Sequence, residues 1–573
     1  MSHDAPVPVM SVSEANARLA IDPRFGTEPI NAHGRQFQAW INGPRHLADV
    51  FDLCLDHGDA DFLVLGEQRA SYRGFTNAVA FGVNRLRIAG IAPGDRVALL
   101  MRNRLEWPVC FFSIVLAGGI VVPINGWAGA EHVAAMLNDV SPTIVITEDG
   151  APDLHAVEGR TWSIDDPEPF IPAPEQWASL PLSDLELTER DPDSVAAIFF
   201  TSGTTGMPKG AMTSHRAIAG VVRNAEFQRA RLELRYPNLV RSSRTQATLF
   251  PVPLFHVTGA IAGLISFAAN GAKLVLMPKW DARTALSLIE REEITLVGGV
   301  PTLPLQMLEE ASLSTTDVSS LEMVLYGGAP PPRHLPRAIA EALDAEAATG
   351  WGMTETSATF LYNAGPDYLR RPASCGLVAP VNAARIMLES GEEAPIGTSG
   401  ELQVRGQSLT MGYWQRPEAT EDAFDGDWFK TGDLAVVDED GFFTILDRLK
   451  DVIIRGGENI PSVVLEDAII GHPAVAECAV VGRPHATLGE EPIAVVRFIA
   501  GMQEDLGAVL DHAGAQLPKH MRPVACLAVK EPLPRNPGGK ILKPLVRDLV
   551  DAAFRDKGHV AEVSSVKGGR IGQ

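Results

Sequence analysis

Basic residues are scarce beside acidic ones in this 573-residue chain: 49 Lys and Arg stand against 71 Asp and Glu, a formal charge of -22. A protein that grips a phosphate backbone needs a basic face, and none is visible, which argues against a nucleic-acid partner. Cysteines number five, at Cys54, Cys110, Cys375, Cys478 and Cys526, and none forms a C-x-x-C pair. That argues against a zinc ribbon or a disulfide framework and for buried thiols in a reducing compartment. No basic start leads into an apolar run, so no signal peptide is expected and the expected location is cytoplasmic. One uncharged stretch, residues 107–124, is about long enough to span a bilayer. Pro108, the Gly118-Gly119 pair and Pro123 interrupt it, which predicts a buried helix, a turn and a buried strand instead. Internal repeats are also missing.

The composition that remains is that of a folded protein, with 46% hydrophobic and 21% charged residues. The length calls for two or more domains. Short apolar runs at 96–100, 143–146, 196–200, 273–276 and 322–325 alternate with helical stretches. This predicts an α/β fold with largely parallel sheets flanked by helices. After about residue 380 the texture changes, and runs at 400–406 and 441–446 read as antiparallel strands with polar turns. The charged segment Asp447-Arg448-Leu449-Lys450-Asp451 marks the expected main boundary, since few apolar residues cross it. Four units are expected: an unassigned extension at 1–45, a large domain at 46–447, a hinge at 448–452 and a small α+β domain at 453–573. In the small domain, helices are expected near 462–472 and 502–517, and strands near 475–481 and 492–499. Roughly the last 15 residues read as a mobile polar tail.

The segment Phe200-Thr201-Ser202-Gly203-Thr204-Thr205-Gly206-Met207-Pro208-Lys209-Gly210 follows an apolar strand. Its glycines let backbone N–H groups approach a ligand, its hydroxyls donate further hydrogen bonds, and Lys209 adds a positive charge. This is the chemistry a polyphosphate needs. It is not a Walker A loop: counted from Gly203, Pro208 stands where the second glycine belongs, and Gly210 where the metal-binding Ser or Thr belongs.

That segment resembles the phosphate-binding signature of the adenylate-forming superfamily, which includes acyl-CoA synthetases, firefly luciferase and nonribosomal peptide adenylation domains. Other motifs of that family follow in order. Pro253-Leu254-Phe255-His256-Val257-Thr258-Gly259 is similar to its substrate-side motif, with His256 beside the reacting carboxylate. Relatives that activate amino acids place an Asp where Val257 stands, so an acid without an α-amino group is implied. Tyr326 to Pro331 resembles the adenine-side segment and assigns Gly328, Ala329 and Pro330 to it. Gly350-Trp351-Gly352-Met353-Thr354-Glu355 resembles the aromatic-Gly-x-Thr-Glu motif. It implies Trp351 and Gly352 at the adenine, Thr354 at the α-phosphate and, with Thr201, Glu355 on Mg²⁺, a hard cation suited to oxygen ligands. Trp428 to Asp433 resembles the ribose motif, with Asp433 accepting from the hydroxyls.

The stretch from Asp447 to Ile460 resembles the family's hinge. It implies Arg448 at ribose or phosphate, Lys450 as hinge residue, and Gly456 and Gly457 beside the pantetheine arm. Leu533 to Ile541 resembles the loop of the catalytic lysine, here Lys540. The resemblance covers about residues 60 to 545. It implies a distorted β-barrel subdomain in the large domain and a mobile small domain. It further implies ATP, Mg²⁺ and coenzyme A as reactants and cofactors. The implied activity is an AMP-forming acid–thiol ligase working through an acyl-adenylate. The segments 257–264 and 298–302 are small and apolar: Ala260, Gly263 and the Gly298-Gly299 pair are expected to leave room for a medium- or long-chain fatty acid. An aryl or polycyclic acid is the alternative substrate, and a carrier protein the alternative acceptor. A luciferase-like oxygenase would share every motif. A catalytically dead scaffold would have lost Lys540, Glu355 or the phosphate loop, and all are present. The expected assembly is a monomer or homodimer, with only transient membrane contact.

Overall fold

The computed structural model describes residues 6–152, 160–182, 185, 191–201, 208–239, 244–499, 501–535 and 541–555. Among these the strands form five sheets. The uncharged stretch at 107–124 behaves as its breakers dictate. Helix Glu106–Leu116 is buried along its whole length, and after Gly118 and Gly119 the strand Ile120–Pro123 enters a sheet. Among the described residues no helix is long and apolar enough to cross a membrane.

Two large sheets carry the first part of the chain. One has seven strands, with Arg96–Leu100 parallel to both Ile120–Pro123 and Ile144–Thr147, and Val195–Phe200 joined beyond Ile120–Pro123. The other has eight, and its centre runs Glu346–Met353, Met323–Gly327, Leu296–Gly299, Ala247–Phe250 and Lys273–Leu276, all parallel. Their side chains are apolar on both faces because helices cover both faces. A buried cluster from Leu47 through Phe111 to Phe267 lies between the sheets and those helices. Residues 382–448 form an antiparallel sheet that curls into a half-barrel beside the eight-stranded sheet.

The chain leaves this body through strand Phe443–Arg448 and the turn Leu449–Asp451. A separate five-stranded sheet follows, built on the long hairpin Val475–His485 and Gly489–Phe498, with helices Ser462–Ile470, Leu506–Gln516 and Lys543–Arg555 around it. It has its own apolar cores. The extension, unassigned from the sequence, holds helix Val12–Ala20 and the hairpin Thr27–Ala32 with Arg35–Trp40. The expected C-terminal tail lies outside the described residues.

Candidate active site

Loops from both large sheets, the half-barrel and the small domain meet around one cavity of about 470 Å³. The strand Val195–Phe200 runs into Thr201, and the chain returns at Lys209 into Gly210–Ser214. The Thr201 N–H donates to the Lys209 carbonyl at 2.9 Å, and the Lys209 N–H donates to Thr201 Oγ1 at 3.3 Å. The two ends of the loop are thus clamped together, and both residues line the cavity. Ser202, Gly203, Thr204 and Thr205 lie outside the described residues. So does Lys540, but Ile541, its neighbour in sequence, lines the cavity and pairs with Arg535 in an antiparallel bridge.

Strand Glu346–Met353 brings Gly352 to the cavity wall, and the turn after it brings Thr354 and Glu355. At Gly352 the ladder shifts by a residue, and a Cβ there would stand 1.6 Å from the Ala358 carbonyl oxygen. Only glycine fits. Glu355 is buried and accepts a hydrogen bond from the Tyr413 hydroxyl at 2.8 Å. Burial pushes its carboxyl above the usual range, opposed by the Tyr413 hydrogen bond. Lys209 Nζ sits 5.0 Å from the centre of the Tyr413 ring. Tyr413 therefore links the cation to the carboxylate. The M-G-Y-W stretch containing it carries no motif, and it arrives by pairing across the sheet with Ala211.

Asp433 is buried beneath the same wall. Arg448 is its cross-strand partner and ion-pairs with Oδ1 at 2.7 Å, while Trp351 Nε1 donates to Oδ2 at 2.8 Å. Arg448 and Lys450 line the cavity, and burial lowers the Lys450 ammonium from its ordinary value. Lys543, which sequence reasoning passed over, also lines it. Its ammonium pairs with Glu466 at 2.9 Å and bonds Ser462, whose N–H and hydroxyl both donate to Asp447. Gly328 stands on the wall in a left-handed conformation, φ +80°. Ala329 and Pro330 do not line the cavity, and Trp351 and Asp433 stand behind its wall rather than on it. Nor do Gly456 and Gly457, which form the turn of the hairpin Ile453–Arg455 with Glu458–Ile460.

On the far side, His256 lines the cavity just before the helix Thr258–Ile265, which is wound as a π-helix. Its Nε2 is buried without a hydrogen-bond partner, and burial lowers the ring to about 4, so it is neutral at pH 7. Val257, Thr258, Ala262, Gly299 and Val300 continue the wall, within the segments the sequence pointed to. Gly263 and Gly298 do not contribute the open space expected of them. The ring of Phe250 fills it, and Leu303 backs Gly299 in the same way.

The family model for the AMP-binding enzyme matches residues 52–414, and that for the AMP-binding enzyme C-terminal domain matches residues 464–540. A long-chain-fatty-acid–CoA ligase of Mycobacterium tuberculosis, FadD13, is 34% identical over 473 residues, 82% of this chain and 90% of that protein. A feruloyl-CoA synthase of an Amycolatopsis species is 32% identical over 496 residues, 84% of this chain and 94% of its own length. Among solved structures, ATP-bound MatB from Rhodopseudomonas palustris superposes with a TM-score of 0.75 at 28% identity, covering 88% of this chain and 99% of that one.

Proposed function

The chain belongs to the AMP-binding enzyme family, in its acyl-CoA synthetase branch, and is an AMP-forming acid–CoA ligase; on that premise we propose that its acid is an apolar monocarboxylate, in the first place a medium- or long-chain fatty acid. The observation that carries this is the far wall of the cavity. Phe250, Val252, Val257, Ala262, Val300 and Leu325 bear no charge, and His256 beside them is neutral. A second carboxylate or an ammonium on the substrate would be desolvated there without a partner. The flat Phe250 ring, together with the similarity to a feruloyl-CoA synthase, supports an aryl acid as the second reading.

In this reading the acid's carboxylate oxygen bonds to the α-phosphorus of ATP, and the bond to pyrophosphate breaks. The thiol of coenzyme A then attacks the acyl carbon, releasing AMP and the thioester. Thr201, Lys209 and Lys540 stabilise the charge that builds on the phosphoryl oxygens, a contribution on the order of 3–4 kcal/mol per well-placed donor. Gly328 and Gly352 border the adenine, and Asp433, held by Arg448 and Trp351, receives the ribose hydroxyls. Mg²⁺ fits the donors that are present. Among the described residues no trio of His, Cys, Asp or Glu could hold a metal alone, whereas Glu355 and Thr201 offer two oxygens on the cavity wall. A hard cation that completes its shell with phosphate oxygens and water suits that set. When bound, it would neutralise phosphate charge.

The test is ATP–pyrophosphate exchange with fatty, aryl, dicarboxylic and amino acids, followed by thioester detection with coenzyme A. Exchange with fatty acids and accumulation of their thioesters is the expected result. Exchange confined to amino or dicarboxylic acids would overturn the proposed substrate. Exchange without thioester would move the acceptor to a carrier protein.

A further inference from the structure

We propose that Phe250 sets the depth of the acyl site, so that medium-chain and single-ring acids are preferred over long-chain ones. This rests on the apolar-acid reading above. Phe250 ends the strand Ala247–Phe250, and Gly298 lies on the neighbouring parallel strand Leu296–Gly299. A Cβ at Gly298 would stand 2.4 Å from Phe250 Cε2, and one at Gly263 would stand 2.6 Å from Cε1, on the opposite edge of the ring. The ring is therefore slotted between the sheet and the π-helix Thr258–Ile265, and two glycines make the slot.

Small residues at these places suggest a channel when the sequence is read alone. The structure shows that they accommodate an aromatic plate. Gly299 is backed likewise, since a Cβ there would lie 2.3 Å from Leu303 Cδ1. Phe250 is only 2% exposed and meets Phe267 edge-on, with ring centres 5.9 Å apart, so it is wedged rather than free to swing. It nevertheless forms part of the cavity wall with Val252, Val257 and Ala262. Phe250 and Val257 share the cavity wall, and the ring packs into the same core cluster as Leu296 and Phe267, so an acyl chain that reaches the ring meets packed core.

The experiment uses the full chain with butanoate, octanoate, benzoate and palmitate, measuring kcat/KM for thioester formation and melting each variant to confirm folding. The wild type should favour octanoate or benzoate over palmitate by about tenfold or more, the discrimination a steric pocket typically supplies. Phe250→Ala should raise palmitate relative to octanoate by about tenfold, mainly through KM. Phe250→Leu, which keeps most of the core volume, should shift the ratio in the same direction by less. Gly298→Ala should push the ring into the cavity and shift it the other way. Equal use of palmitate and octanoate by the wild type, or an unchanged ratio in folded Phe250→Ala and Phe250→Leu, overturns the role of Phe250 while leaving the apolar-acid reading intact. No turnover of any of the four acids overturns that reading and this inference with it.

Discussion

Single residues at this site owe their chemistry to what surrounds them. His256 is the clearest case. Its motif marks it as a pocket residue, but only the fold buries Nε2 without a partner and lowers the ring to about 4. In the unfolded chain the same ring titrates near 6.5, so between those values the unfolded state binds the extra proton. The stability that the neutral ring allows is fully present above about pH 6.5 and is lost as pH falls toward 4. Measured by urea unfolding at pH 7 and pH 5, the wild type should lose about 2 kcal/mol more than His256→Phe does. A parallel loss in the variant would show that the ring is not desolvated. Tyr413 illustrates the opposite limit: nothing local announces it, and its role between Lys209 and Glu355 comes from strand pairing with Ala211.

At the scale of elements, the sequence and the structure part most clearly before residue 46. Polar, Pro-bearing sequence gave no assignment there, yet it folds into a helix and a hairpin. The reason is tertiary: a two-stranded hairpin is marginal alone and is stabilised here by what it packs on. Trp40 is buried against Phe25 and Phe227; its backbone N–H donates to Gln407 and its indole N–H to Asn224, both at 2.9 Å. The hairpin so ties the helix His215–Arg235, which follows the phosphate-loop strand, to the half-barrel. Trp40→Ala should lower unfolding stability by about 3–5 kcal/mol. A denaturant midpoint within error of the wild type would refute the strap. By contrast, the parallel strands were legible because a strand buried on both faces needs an unbroken apolar run.

At the scale of the molecule, the small domain is pinned against the large body across the turn Leu449–Asp451. Asp447, before the turn, receives Ser462 from the helix after it. Arg547 pairs with Asp451 at 3.1 Å, and Arg333 of the large body pairs with Asp467 at 3.3 Å. Among the described residues these ties are polar, the kind that permits domain movement. We infer that this arrangement serves adenylate formation and that rotation near Lys450 serves the thioester step. Hinges act by absorbing φ/ψ changes at a few positions. Lys450→Pro, which fixes φ, should leave pyrophosphate exchange within about twofold and reduce thioester formation at least about tenfold. Equal loss in both half-reactions would rule the hinge out.

Taken alone, the residues determined a polyphosphate-binding loop, the ordered motifs whose resemblance to the adenylate-forming superfamily implied the reaction class, and the alternation that makes parallel sheets, because each of these is written locally: glycines and hydroxyls beside a strand, motif residues close together in the chain, apolar runs of strand length. Tertiary structure decided how much space the acyl group has. Gly263 and Gly298 read as vacancy along the chain, but they are 35 positions apart in sequence and enclose one ring. Volume belongs to the packing of several segments at once, and no single segment carries it.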